Sequence, residues 1–208
     1  MTVTQHDTID FREMFAIHDA FRRDLGKFVA AATAGKALSP QVQAGWANFK
    51  VQLGIHHSVE DAWLWPRLER ELAGRVGELA LLADMEAEHA RIDPLLAAVD
   101  AALPDQGINL VVRIQELAVE LACHFLHEED SALPLIQAVL TPADWKGFRS
   151  AMTRAQGIKG AAVFVPWLVD GLSAADQQRS TANMPPPVLL LNRLFWSSRY
   201  RERDLWSF

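Results

Sequence analysis

A chain of 208 residues, half of them hydrophobic, can build a sizeable core and fits one domain with an appendage. Its 20 basic and 26 acidic residues leave a net charge of −6, which argues against a general binder of nucleic acid or anionic membrane. The single cysteine, Cys123, excludes an intramolecular disulfide and a thiolate zinc site. The opening MTVTQHDTIDFREMF lacks the layout of a secretory signal, and no apolar run reaches the ~18 residues of a membrane span, so a soluble cytoplasmic protein is expected.

His6 reads as a terminal residue. A first helix follows, with an inward stripe of Phe11, Met14, His18, Phe21, Leu25 and Phe28 at helical spacing. The break GKALSP (35–40) leads into a second helix whose stripe is Trp46, Phe49, Leu53, His56, Glu60 and Trp63. Gly74 and Gly77 punctuate the chain before a third, with Leu82, Met85, His89, Ile92, Leu96 and Val99. LPDQG (103–107) precedes a fourth, with Leu110, Ile114, Leu117, Leu121, His124 and Glu128. No segment alternates as a strand, and helices of this length with short connections predict an antiparallel up-down four-helix bundle over residues 8–140.

Residues 141–208 predict a helical extension packed on the bundle or on a second subunit, a homodimer being the oligomer that packing would give. Thr141 caps TPADWKGFRSAM and Pro142 takes its first turn; KGAAVFVPWLVDGL is an apolar helix broken by Pro166; MPPPV is a stiff turn into LLLNRLFW. SSRYRERDLW reads as a solvated helix end. The sharper reading of this segment is a lid that narrows the route of a gas or substrate.

Each stripe of the bundle is apolar except for one histidine, and two carry a glutamate one turn later. Lone core histidines are common, but four of them beside two inward carboxylates need a partner, because unliganded glutamates would repel one another or take up protons. Imidazole and carboxylate without thiolate suit iron, manganese or zinc, and more than four donors suit two ions rather than one tetrahedral zinc. In HHSVED a stripe through His57 would include Lys50, so His56 points more squarely inward. His56 with Glu60 and His124 with Glu128 share the four-residue spacing, and Pro66 and Pro134 lie six residues past each glutamate, a weak internal repeat.

His18, HHSVED with its downstream LWP, the EHARI of residues 88–92 and HFLHEED together resemble the hemerythrin-like (HHE cation-binding) family over roughly residues 8–140. The resemblance implies a non-haem di-iron centre, oxo- or hydroxo-bridged, with manganese or zinc ranked behind iron. It carries over as metal ligands His18, His56, Glu60, His89, His124 and Glu128. Family members bind dioxygen reversibly, sense oxygen or iron, or react with nitric oxide and peroxide. Two departures stand out: Met85 occupies the place of a third-helix histidine in the oxygen carriers, and Glu129, not Glu128, has those carriers' spacing. Met85 implies an open iron position and tips the reading toward an oxidoreductase that consumes peroxide or nitric oxide with an unidentified electron donor. The alternative is a reversible oxygen carrier or sensor, or an iron store. Candidate additional ligands or supporting groups are His57, Glu86, His127 and Glu129; Asp61 and Asp130 read as solvated or supporting.

Overall fold

The structure, a computed structural model, describes residues 8–105 and 107–208, so His6 and Gln106 lie outside it. It is all-helical among the described residues. The bundle comprises α1 (Arg12–Thr33), α2 (Pro40–Val59), α3 (Trp65–Glu71), α4 (Val76–Ala102), α5 (Ile108–His127) and α6 (Leu133–Val139). α2 runs into α3 through a π-helical turn, Glu60–Leu64, and α5 into α6 through another, Glu128–Ala132. Two continuous rods therefore pack with α1 and α4 as an antiparallel four-helix bundle.

The two π turns have a common local cause. Pro66 and Pro134 sit at the second position of α3 and α6; each lacks an N–H and would press its ring on the carbonyl four residues earlier. The preceding turn opens by one residue, so that Trp65 N–H reaches Glu60 O and Leu133 N–H reaches Glu128 O. The inserted residue shifts the inward stripe. Leu64, Trp65 and Leu68 are buried below the turn, whereas Trp63, expected on the stripe, is only half-buried. The other three stripes bury nearly as the sequence predicts; Phe11 and Leu96 are the partly exposed members.

The core divides into two apolar clusters. One holds Phe21, Phe28, Trp46, Phe49, Leu117 and Phe125; the other holds Met14, Leu64, Trp65, Leu68, Met85 and Ile136. The inward histidines and glutamates form a polar layer between them.

Beyond the bundle come α7 (Pro142–Leu168), α8 (Ala174–Ser180), α9 (Pro186–Leu191), a third π turn (Asn192–Trp196) and α10 (Ser197–Glu202). Thr141 and Asp144 form the capping box that starts α7. The break in this helix falls at Gly157, not at Pro166, which is carried inside the last turn. Gly157 has φ +60°, a left-handed conformation open to glycine at little cost, whereas Pro166 lacks its own N–H to donate but the helix still continues two residues past it to Leu168. The extension is tied into the bundle core. Buried Trp167 donates its indole N–H to buried Asp24 at 2.9 Å, and Arg23 binds the carbonyls of Trp167 and Asp170. Trp206 lies against Gly45, where a Cβ would come within 2.5 Å of the indole, so only glycine allows the approach. The arginines of α10 are exposed while Tyr200 beside them is buried. No helix among the described residues is long and apolar enough to cross a membrane.

Candidate metal centre

α1 delivers His18, α2 delivers His56 and His57, α4 His89 and α5 His124, while the π turns place Glu60 and Glu128 at the same depth; all are buried. They gather as two neighbouring groups, which a third, of His56, His57 and Glu60, overlaps. In the first, His18 Nε2 lies 3.3 Å from His56 Nε2 and 3.2 Å from Glu128 Oε2. In the second, His89 Nε2 lies 3.2 Å from His124 Nε2, and a donor atom of His57 lies within 4.8 Å of both. Glu60 sits between the groups, Oε1 at 3.4 Å from His56 Nδ1 and Oε2 at 3.7 Å from His89 Nε2. Donors about 3 Å apart match the span of ligands around one ion whose bonds are ~2.0–2.2 Å long.

Behind the rings stand carboxylates. Glu129 accepts from His18 Nδ1 at 2.7 Å, Asp61 from His89 Nδ1 at 2.7 Å and Glu88 from His124 Nδ1 at 2.9 Å. Arg22 donates to Glu129 at 3.0 Å and holds it in place. A proton fixed on Nδ1 leaves the Nε2 lone pair directed into the layer, the tautomer a metal requires. His127 donates to the second oxygen of Glu88 at 2.9 Å and is half-buried, outside both groups. Glu86 is exposed on α4 and also lies outside them, as does Asp130.

His57 joins the group of His89 and His124, its ring stacked on that of His89 with centroids 4.0 Å apart. It thereby brings a third imidazole, from α2, to the group that α4 and α5 supply. Lys50, the argument against a His57 stripe, is accommodated because its amine reaches out to Asp100 at 2.6 Å while its stem stays on the helix. Glu88 is the supporting residue that sequence reasoning missed; its one signal is that it adjoins His89, as Asp61 adjoins Glu60 and Glu129 adjoins Glu128.

The layer is electrostatically unsettled. Both oxygens of Glu60, both of Glu128, His56 Nδ1 and His57 Nε2 are buried without a hydrogen-bond partner. Glu128 Oε2 is close to His18, but not in hydrogen-bonding geometry. Burial, then the charges of Glu128 and Asp61, push the Glu60 carboxyl well above its ordinary range. Glu128 is also penalised by burial, yet His18 outweighs this and holds its carboxyl low. Burial likewise opposes protonation of His18, but Glu128 and Glu129 prevail and raise its pKa. His56 and His57 are lowered strongly, by burial first and by neighbouring imidazoles second. Orphaned buried polar atoms cost stability unless something binds them. Cations would take the lone pairs that both buried glutamates leave unused, so the residues fit a metal.

A family model described as the hemerythrin HHE cation binding domain matches residues 10–136. Comparisons with curated proteins and with solved structures give no match. The matched span takes in α1 to α5, the first half of α6 and both donor groups but stops short of α7. The chain belongs to the hemerythrin HHE cation-binding family.

Proposed function

We propose that the chain holds two iron ions and reacts with small oxidants, namely dioxygen, peroxide or nitric oxide. The observation that carries this reading is the pair of donor groups joined by Glu60. His18, His56 and Glu128 would hold one ion, and His57, His89 and His124 the other, with Glu60 shared. Two imidazoles with one carboxylate is the donor set of ferrous sites that keep positions open for a ligand, whereas the second group is all imidazole. When bound, iron supplies electrons and Lewis acidity to the oxidant.

The chain supplies the setting. Glu129, Asp61 and Glu88 hold three of the imidazoles in the metal-binding tautomer. Phe125, stacked on His18 at 4.4 Å, and the apolar clusters on either side exclude water from the layer. A cytoplasmic setting suits this chemistry, because a reducing compartment keeps the iron ferrous and Cys123 a thiol.

Metal analysis of protein purified without oxygen should give close to two irons per chain; stoichiometric zinc, or no metal after iron-replete growth, would sink the reading. Stopped-flow mixing of the ferrous protein with each oxidant then separates the classes. Rapid oxidation or catalytic loss of peroxide marks an oxidoreductase. A stable oxygenated spectrum that reverses under vacuum marks a carrier or sensor, a reading favoured by the third imidazole that His57 brings.

A further inference from the structure

A cavity of about 120 Å³ lies between the bundle and the C-terminal extension. Its walls come from α1, from both halves of α7 and from the segment leading into α9. Residues before the Gly157 break (Trp145, Phe148, Met152) and after it (Ala161, Phe164, Val165) face the same space, so the break shapes the cavity. Thr153 and Pro185 are exposed at the outer rim, whereas Ile17 and Val165 are buried deep within it. Of the two donor groups and Glu60, only His56 lines it.

We propose that this cavity binds a small apolar organic molecule, about the size of benzene, with its inner end against His56. Size decides against a diatomic gas as the intended occupant, since a water-sized molecule takes up only ~30 Å³ while an apolar cavity of roughly 150 Å³ holds benzene. Chemistry decides against an anion or cation. The two charged residues in the wall, Glu13 and Arg149, pair with each other at 2.7 Å, and Arg149 also donates to Asn183 O at 3.0 Å. Apart from His56 and Gln156, whose amide donates to Gln52 Oε1 at 2.7 Å, the remaining inner wall is aliphatic, aromatic and thioether, and Met152 and Met184 can adjust to an irregular apolar shape. The binding site stands on the cavity alone; its delivery of the molecule to a metal rests on the function proposed above.

Fluorobenzene, followed by fluorine NMR, tests both parts. The expected result is saturable one-site binding to the purified protein, with the bound resonance broadened by paramagnetic iron but not in a zinc-substituted sample. Ala161→Phe fills the cavity from the second half of α7 and should weaken binding at least tenfold with metal content unchanged. Val188→Trp, from α9, should do the same and guards against one variant failing to fold. Absence of saturable binding, or binding that both variants leave intact, overturns the proposal. Binding without iron-dependent broadening overturns its placement at His56, and uptake of xenon without fluorobenzene replaces the organic ligand with a gas passage. Iron measured on the same samples reports on the metal centre separately, so iron-free protein that still binds fluorobenzene supports the cavity and removes only the proposed metal chemistry.

Discussion

Glu129 accepts a hydrogen bond from His18 Nδ1 at 2.7 Å and adjoins in sequence the glutamate that faces the layer. The neighbouring carboxylates thus divide the work, Glu128 toward the donor group and Glu129 behind the ring. Glu128→Gln should remove one metal ion outright. Glu129→Gln should leave the stoichiometry reachable but weaken affinity by roughly 10–100-fold, the usual cost of losing a group that orients a ligand. Competition with a chelator measures both, and equal losses in the two variants would refute the division.

The doubled histidines make a second test. His56 lies with His18 and Glu128, His57 with His89 and His124. His56→Ala and His57→Ala should each lower metal content by about one ion per chain, which takes His57 as an additional ligand, one of the two roles the sequence leaves open for it. Retention of both ions in His57→Ala would make it a supporting group instead.

Glu60 should stabilise the loaded protein and destabilise the empty one. Its folded pKa is raised above the ordinary carboxylate value, so the unfolded chain ionises first and stability is lost as pH rises from ~4.5 through the raised value. Glu60→Gln removes that penalty. The metal-free variant should melt a few degrees above metal-free wild type near neutral pH, 1 kcal/mol being roughly 2–4 °C for a chain of this size. The gap should shrink toward pH ~4.5, and metal uptake by the variant should fall. Calorimetry in chelator checks the sign, and a lower melting temperature for the variant would contradict it.

Acid should empty the centre in two steps. Metals need unprotonated imidazoles. His18 takes up its proton at higher pH than an ordinary histidine, burial notwithstanding, because Glu128 and Glu129 favour the charge. His57 and His124 take theirs up at lower pH, burial being the first cause in each. On dialysis from about pH 8 to about pH 5, across the ordinary histidine range, the ion at His18 should leave before the ion at His57. Metal content and spectrum recorded at each step test this, and loss of both ions together would count against it.

The extension should prove integral to the fold. Trp167 is fully buried against Phe21, with ring centroids 5.1 Å apart, and bonded to Asp24. Trp167→Ala leaves a cavity and a buried carboxylate short of a donor, a loss of about 3–5 kcal/mol. Urea unfolding should show the midpoint falling sharply, and a change within ±0.5 kcal/mol would show the extension to be peripheral.

Much of this was legible in the sequence because helix faces repeat at 3.6 residues. The stripes of His18, His89 and His124, the cap at Thr141 and the repeat ending in Pro66 and Pro134 need only that periodicity. What lay beyond it is local geometry. A π turn adds one residue and rotates everything after it, so Leu64 and Trp65 displaced Trp63. Periodicity leaves His57 between ligand and supporting group because a helix facing two donor groups can use adjacent positions, and a lysine stem on the same face is no obstacle when its amine reaches water or a carboxylate. Pro166 looked like a break because proline lacks an N–H and crowds the carbonyl four residues back; the helix nevertheless runs two residues past it to Leu168, and Gly157 sets the bend instead. The pairing of Glu88 with His124 spans two helices and leaves no periodic trace.

The polar layer between the two apolar clusters also ties the lifetime of the chain to supply. A ligand that binds only the folded state stabilises it by mass action, about 2.7 kcal/mol at a free concentration one hundred times its dissociation constant. Without metal the same layer holds unpartnered carboxylates in the middle of the bundle, where any opening admits water and proteases. A shift of ~1–2 kcal/mol is enough to change a protein's abundance several-fold through quality control. Starved cells would therefore clear the empty chain and replete cells would keep the full one, so that the amount of this protein follows the metal available to it.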